Sequence, residues 1–425
     1  MRRYYLAAGA ALFLSACATT GSTADMSAAS RSSDPVITAD AIEAHIRFLA
    51  DDMMEGRDTG SRGYDLAARY VESQFRLLGL APGAADGSYH EPVPLQNMVS
   101  DTSRARLAIN GEELVHGQDF IISAHAVHDE SAVSGELVFV GYGISAPGLG
   151  HDDYDGLDVD GRIVVILAGA PGGLASDVAA HLSSNRTKAA FAAERGAAGA
   201  ILIMADGLTR FPFSRMAAMA ANPRPSMATP AASSPASLQV SAVIGTETAN
   251  RLFEGAPESF ETVVEAARAG ETLPRFALLP TVEMAQATTR EAVISANVVG
   301  ILPGSDPSLA AESVVVTAHL DHIGICQPLA ENAICNGALD NASGTAAMLE
   351  AARALSQGPR PARSVVFIAL TAEEKGLLGS AHIAANPTPA MGRMVANINL
   401  DMPVMLYEFN DVIAFGAEHS TLSAL

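Results

Sequence analysis

The chain has 425 residues, 49% of them hydrophobic, and a formal net charge of −21. This length and hydrophobic content predict two or three domains with well-filled cores. No basic run follows Arg3, and this argues against nucleic-acid binding because phosphate backbones are bound by clustered lysines and arginines. We interpret the acidic balance as a solvated surface.

The N-terminus has the pattern of an export signal. Two arginines follow Met1, and residues 5–14 form an apolar segment too short to span a membrane stably. The tetrapeptide LSAC that ends at Cys17 resembles a bacterial lipobox. We therefore assign residues 1–17 to a lipoprotein signal peptide, Cys17 to lipidation and residues 18–35 to a flexible tether. An ordinary signal peptide with an incidental cysteine is the alternative.

The residue after the lipobox cysteine is Ala18 rather than aspartate, so the usual signal for retention at the inner membrane is missing. We expect an exported protein at the periplasmic face of the cell envelope, an outer-membrane lipoprotein. Its contact with the membrane would be through the N-terminal lipid alone.

Two further cysteines, Cys326 and Cys335, complete the cysteine content. Because an exported protein meets an oxidising compartment, we expect them to form a disulfide. The bond would close a loop of about ten residues and stabilise the fold by roughly 2–3 kcal/mol. Thiolate metal ligation is the alternative, although the carboxylates nearby suit a metal better.

The first hundred residues after the tether predict helices and then strands. Apolar spacing from residue 38 onward predicts two amphipathic helices, the first capped by Thr38 and the second running from about Tyr64 to Leu78. Residues 57–63 between them are a turn. Residues 95–120 alternate like a β segment around the hairpin signal Asn110-Gly111.

From about residue 134 short strands alternate with helices. The acidic turn 152–161 raises calcium binding as an alternative, but the twelve-residue ligand spacing and the terminal glutamate of an EF-hand are absent. A long loop rich in proline, alanine and serine covers residues 211–235. From residue 297 onward strands and helices again alternate at short spacing, which predicts a mostly parallel sheet covered by helices.

In this last part each strong polar cluster follows a strand. His319 and Asp321 follow residues 314–318, Glu373 and Glu374 follow residues 365–370, and Asp401 follows residues 394–400, while Asp340 precedes a helix. Because parallel strands end at one edge of a sheet, these groups are expected to converge there. Any one of them alone would be read as a turn former, a solvated helix start or a structural histidine.

Such a cluster is difficult to sustain without cations. Two carboxylates about 5 Å apart repel by roughly 3 kcal/mol at an effective dielectric of 20. An imidazole with carboxylate oxygens suits Zn²⁺, for which Mn²⁺ or Co²⁺ can substitute. The joint pattern therefore predicts a metal site.

Four segments of the sequence, TAHLDHIG, NGALDNASG, LTAEEKGLLGS and NINLDM, resemble the co-catalytic zinc peptidases of the M28 family over about residues 295–425. Residues 36–130, with LADDMMEGRDTGS, resemble the N-terminal helices of that family. Residues 134–270, with VGYGI and ERGAAGAI, resemble the protease-associated domain inserted in many members.

The resemblance implies an α/β fold, a mostly parallel mixed sheet covered by helices (the zinc exopeptidase fold), with an inserted β-rich protease-associated domain. The N-terminal part of the peptidase domain would be residues 36–130. The inserted domain would be residues 131–290 and the catalytic zinc peptidase domain residues 291–425.

The resemblance also implies which residues bind metal, with two Zn²⁺ ions in each active site. His319 and Asp401 would bind one ion and Glu374 the other. Asp340 would bridge the two ions, and its peptide bond to Asn341 would be cis.

Two further residues would act without binding metal. Asp321 would orient His319 through the ring N–H of the histidine. Glu373 would be the general base, which takes a proton from the metal-bridging water and delivers it to the leaving amine.

The implied activity is that of a di-zinc exopeptidase, an aminopeptidase that releases N-terminal residues from peptides. The alternatives on the same fold are carboxypeptidase activity, glutaminyl cyclisation and a binding protein without catalysis. Relatives that cyclise glutamine use a single zinc, and the four ligands here favour two.

The family supplies a last histidine ligand well beyond the position of Asp401, and this chain ends before it. His419 follows Asp401 too closely to match that ligand, and we interpret His322 and His382 as loop or surface histidines. We therefore expect the sequence to be truncated at its C-terminus, with one zinc site incomplete.

Overall fold

The computed structural model describes residues 35–218, 220, 223–228, 238–329, 332–403, 416 and 421. The signal peptide with Cys17, the tether up to residue 34 and His419 lie outside the described residues. Within the described part of the chain, no helix has the length and apolar character that crossing a membrane requires.

The described residues form nine α-helices and eighteen β-strands. The helices are α1 (Ala39–Leu49), α2 (Arg62–Leu77), α3 (Ser176–Ser183), α4 (Asn185–Glu194), α5 (Phe213–Ala218), α6 (Thr246–Leu252), α7 (Phe260–Ala269), α8 (Ser343–Gln357) and α9 (Leu378–Ala385). The strands are β1 (Ala81–Pro82), β2 (His90–Ser100), β3 (Arg106–Ile109), β4 (Glu112–Glu113), β5 (Phe120–Ile122), β6 (Glu130–Phe139), β7 (Ser145–Ala146), β8 (His151–Asp152), β9 (Ile163–Leu167), β10 (Gly199–Met204), β11 (Arg224–Met227), β12 (Val240–Gly245), β13 (Phe276–Leu302), β14 (Glu312–His319), β15 (Ile325–Leu329), β16 (Asn332–Ile334), β17 (Ser364–Leu370) and β18 (Arg393–Asn399).

The two N-terminal helices begin where side-chain caps predict. The Thr38 hydroxyl accepts a hydrogen bond from the amide of Ala41, so α1 starts directly after it. The Ser61 hydroxyl accepts from the amide of Tyr64 and starts α2. Apolar side chains on one face of α2 are buried in the core that also contains Val298 and Phe367 of the sheet, and this burial fixes the orientation of α2.

One large sheet runs through the molecule in the order β18-β14-β17-β13-β6-β9-β10-β12-β5. Strands β14, β17 and β18 are parallel to one another, as are β6, β9, β10 and β12, whereas β13 is antiparallel to its neighbours. The predicted α/β class is confirmed, with a mixed sheet whose two parallel parts meet at β13.

The 27-residue strand β13 joins the two halves of the molecule. Residues 276–287 of β13 pair with β6, and residues 288–302 pair with β2 and β17. The boundary predicted between residues 290 and 291 therefore falls inside a continuous strand. Hydrophobic periodicity identifies a strand but carries no information about its partners.

The half that contains β6, β9, β10 and β12 corresponds to the predicted inserted domain, and we call it the inserted half; strands before residue 131 also pair with it. Strand β3 pairs with the first part of β13, and β5 pairs with β12 at the far edge of the sheet. Leu107 and Phe120 lie in the same hydrophobic core as Phe139 and Val165. The β segment from residue 106 to 122 thus packs with the inserted half.

In the other half, β14 lies between β17 and β18. The parallel register places His319 opposite Leu370 and Thr317 opposite Asn399. Helices α1, α2 and α8 cover one face of this half, with Leu49, Phe75 and Met348 in the core. The three strands therefore end side by side at one edge of the sheet.

Candidate metal centre

Three strand ends and one helix start deliver the polar residues of the site. His319 is the last residue of β14, the pair Glu373-Glu374 follows β17, and Asp401 follows β18. Asp340 lies in the turn Ala338–Ala342 that leads into α8. The convergence expected from the strand order is therefore present in the structure.

His319 is buried, and its Nε2 atom points at carboxylates. Nε2 lies 3.1 Å from Asp340 Oδ1, 3.4 Å from Asp401 Oδ1 and 4.0 Å from Glu373 Oε2. No hydrogen-bond partner satisfies this buried nitrogen within the described residues. A buried ring nitrogen left without a partner among acidic oxygens has the arrangement of a metal ligand.

A second group of ligand atoms adjoins the first. His319, Asp340 and Asp401 form one group, and His322, Asp340 and Glu374 form another, with the atoms of each group within 4.8 Å of one another. Asp340 belongs to both groups, so its carboxylate lies where it could bridge two ions.

We expected His322 to be a loop or surface histidine, and it lies in the loop after β14 with its ring directed at a carboxylate of the site. Its Nδ1 lies 2.7 Å from Glu374 Oε1, and its side chain is 13% exposed. Sequence reasoning missed it because its approach to Glu374 depends on how the segment after β14 folds back. The one available signal was its place three residues after His319 in the same motif.

Asn341 holds the segment that carries Asp401. The peptide bond between Asp340 and Asn341 is cis, as the resemblance implied. The buried Asn341 side chain donates to the carbonyl of Leu400 and accepts from the amide of Met402. Asp401 is therefore held on both sides by the residue next to Asp340.

Asp321 contacts the site through both its backbone and its side chain. The ring nitrogen Nδ1 of His319 contacts the backbone carbonyl of Asp321 at 3.0 Å, whereas the Asp321 carboxylate lies 3.9 Å away. That buried carboxylate accepts hydrogen bonds from the backbone amides of Glu373 and Glu374. It therefore orients the glutamate pair, and the peptide group orients the histidine.

The adjacent glutamates have opposite electrostatic surroundings. Burial raises the pKa of Glu373, and the carboxylates of Glu374, Asp321 and Asp401 add to the rise against the opposing charge of His319. The hydrogen bond with His322 lowers the pKa of Glu374. One glutamate is thus suited to hold a proton and its neighbour to remain ionised.

The donor set fits zinc. Imidazole nitrogens with carboxylate oxygens are common zinc ligands, and the partnerless Nε2 of His319 supplies a ready donor. Cys326 and Cys335 form a disulfide beside the site, so their sulfurs are joined to each other. His382 lies in α9 and belongs to neither ligand group among the described residues.

Comparison with known proteins is consistent with this site. Residues 297–424 match the family model described as Peptidase family M28. Over 90 residues the chain is 42% identical to Aminopeptidase YwaD of Bacillus subtilis (strain 168), a stretch that covers 21% of this chain and 18% of that protein. Over 120 residues it is 34% identical to Leucine aminopeptidase 1 of Trichophyton equinum, covering 27% of this chain and 31% of the relative.

Among solved structures, an aminopeptidase from Aneurinibacillus sp. strain AM-1 aligns over 86% of this chain and 70% of its own, with 24% identity and a TM-score of 0.46. The matched stretch spans less than a third of the length of each curated relative named above. Residues 297–424 therefore match the model of Peptidase family M28, and parts of the chain are similar to proteins named as aminopeptidases.

Proposed function

We propose that this chain is a zinc-dependent exopeptidase, an aminopeptidase that releases N-terminal residues from peptides. The observation that carries this proposal is the buried Nε2 of His319, which faces Asp340 and Asp401 without a hydrogen-bond partner and lies 4.0 Å from Glu373. The M28 match of the segment that contains all four residues supports it.

Two ions would be held by the two ligand groups. His319 and Asp401 would bind one ion, Glu374 the other, and Asp340 both, with His322 as an additional ligand beside Glu374. When bound, zinc supplies the positive charge that acidifies a water molecule and polarises the scissile carbonyl.

Glu373 is the residue placed to move the proton. Its raised pKa favours uptake of a proton from the attacking water, and the same carboxyl can then donate it to the leaving amine. The amide hydrogen bond to Asp321 fixes the backbone from which this side chain extends.

The inserted half approaches the catalytic loop. A side chain at Gly376 would lie 3.2 Å from Nη2 of Arg186 in α4, and the amide of Gly376 donates to the carbonyl of Glu373. We infer that this half is a protease-associated domain that borders the entrance for peptide substrates. Its motifs VGYGI and ERGAAGAI support that assignment.

We further propose that the chain is exported and anchored through a lipid on Cys17 at the periplasmic face of the outer membrane. The basic N-terminus, the short apolar segment and the LSAC tetrapeptide support this location. Metabolic labelling with a fatty acid, lost in Cys17→Ser, would test it.

The test of the activity is a comparison of the native chain with Glu373→Gln. The native chain is expected to bind zinc and to release N-terminal residues from peptides. Glu373→Gln is expected to bind zinc equally and to lose about 10²–10⁴-fold in kcat, the usual contribution of general acid–base catalysis.

Asp158→Asn is the matched control, because Asp158 is an exposed carboxylate of the inserted half. Full activity in Glu373→Gln, or absence of bound zinc in the native chain, would contradict the proposal. Cleavage of N-acetylated peptides from the C-terminal end would instead indicate a carboxypeptidase.

A further inference from the structure

The segment Gly56–Thr59, which we name the clamp, lies between the loops that carry the metal ligands. The amide of His322 donates to the carbonyl of Arg57, and the amide of Gly324 donates to the carbonyl of Gly56, both at 3.1 Å. The clamp is therefore hydrogen-bonded along the chain that leaves His319. Residues 57–59 of the clamp belong to the turn 57–63 that the sequence predicts between the first two helices.

The Arg57 side chain joins this segment to a second loop. Its guanidinium is fully buried and donates to the carbonyls of Leu320 at 2.8 Å, Asn336 at 2.7 Å and Gly337 at 2.9 Å, and also to that of Leu49. Leu320 adjoins His319, and Gly337 precedes Asp340 by three residues. The rigid, planar guanidinium thus sets the distance between the segment of His319 and the segment of Asp340, whose side chains lie 3.1 Å apart.

The packing around the clamp leaves no room for a side chain at two glycines. A Cβ atom at Gly337 would lie 2.7 Å from Arg57 Nη2, and one at Gly56 would lie 2.5 Å from the carbonyl oxygens of Gly324 and Cys335. Both glycines have positive φ, at 62° and 68°, a conformation that other residues rarely adopt. The clamp therefore contacts both loops backbone to backbone.

The clamp also reaches the loop of the catalytic glutamates. The Thr59 hydroxyl donates to Asp321 Oδ2 at 3.0 Å, and the Asp321 carboxylate accepts the amides of Glu373 and Glu374. Asp58 forms an ion pair with Lys375 at 2.6 Å. The segment after β14, the segment before α8 and the segment after β17 thus all contact the four residues of the clamp.

We propose that Arg57 and Thr59 are positioning residues, which hold the three ligand-bearing loops at the spacing that metal binding requires. This inference rests on the proposed metal-dependent function. It assigns a role to a segment outside residues 297–424, the part that matches the family model.

The experiment compares Arg57→Lys with Arg62→Met in the full chain. Lysine keeps the charge, but its single ammonium group cannot reach the four carbonyls that the arginine guanidinium contacts. Arg62 is 74% exposed and serves as the control. Zinc affinity, measured by competition with a chelator of known affinity, is expected to fall by about 10–100-fold in Arg57→Lys alone. At saturating zinc, kcat should fall while KM is unchanged.

Hydrogen exchange of the zinc-free protein provides a measurement that does not depend on metal binding. In Arg57→Lys, protection should be lost at the amides of His322 and Gly324 and across residues 336–342, and retained elsewhere. This result would support the inference even if the native chain bound no zinc, an outcome that would refute the proposed function alone. Unchanged exchange, or loss of protection throughout the chain with zinc affinity retained, would overturn the inference.

If Arg57→Lys does not fold, the pair Thr59→Val and Thr59→Ser tests the positioning role instead. Serine keeps the hydroxyl that donates to Asp321, and valine keeps the shape without it. Zinc affinity reduced in Thr59→Val and restored in Thr59→Ser supports a positioning role. Equal affinity in the two variants overturns it.

Discussion

At the scale of single residues, Lys188 is the ionisable group whose burial has the clearest consequence for stability. It extends from α4 with 1% of its surface exposed, and its Nζ donates to the carbonyls of Leu167 and Gly169. Burial lowers its pKa to about 7, opposed by Asp153, while the ring of Tyr142 lies 5.6 Å away. The unfolded chain binds a proton at this lysine up to about pH 10.4.

Between pH 7 and about 10 the unfolded state therefore binds more protons at Lys188 than the folded state, so the free energy of unfolding should rise with pH. The contribution of this lysine is expected to reach about 1.4 kcal/mol per pH unit. Lys188→Met should lack it, and urea unfolding at pH 7 and pH 9 measures the difference. Arg69→Met, which removes an exposed cation, should follow the native pH dependence. Parallel curves for the native chain and Lys188→Met would contradict this account.

At the scale of elements, the hairpin of β15 and β16 connects His322 to the turn that carries Asp340. The disulfide between Cys326 and Cys335 closes this hairpin, with nine residues of sequence separation. The amide of Cys335 donates to the carbonyl of Gly324, so the hairpin base also contacts the segment held by the clamp. The disulfide thus restrains the loop that connects His322 to Asp340.

Replacing both cysteines, Cys326→Ser with Cys335→Ser, is expected to lower the free energy of unfolding by about 2–3 kcal/mol. The reason is that a closed loop of this length removes conformational entropy from the unfolded chain. Denaturant unfolding measures the change. A reductant should destabilise the native chain to the same extent and leave the double variant unaffected. If the reductant destabilised both equally, the disulfide would not be the cause.

At the scale of the whole molecule, the protein is acidic, with a net charge of −21. The carboxylate cluster of the site concentrates part of this negative charge in one place. The cluster contains Asp340, Glu373, Glu374 and Asp401, which are 19–40% exposed. Cations that bind this cluster relieve the repulsion among its members.

Zinc should therefore stabilise the folded chain, by about 2.7 kcal/mol at a free concentration one hundred times the Kd. A chelator is expected to lower the thermal midpoint and added zinc to restore it, as measured by scanning fluorimetry. Asp340→Asn should lose most of this response because Asp340 belongs to both ligand groups. Asp158→Asn should respond like the native chain. The same zinc response in Asp340→Asn as in the native chain would exclude this site as its source.

Much of the fold followed from local sequence. The caps Thr38 and Ser61 start their helices through contacts three residues apart, and apolar runs mark the buried strands. These features are predictable because side chains close in sequence produce them. The partners of β13 are not predictable in this way, because this continuous strand pairs with β6 at one end and with β2 at the other.

The sequence by itself determined which residue types follow β14, β17 and β18, and hence that an imidazole and several carboxylates meet at one edge of the sheet. Only the tertiary structure decided that His322 joins Glu374, that the peptide group of Asp321 rather than its carboxylate contacts His319, and that Arg57 ties the ligand loops together. The physical reason is distance along the chain. The contacts of Arg57 with Leu320 and Gly337 span 263 and 280 residues, and no periodicity or local motif records a pairing of that range.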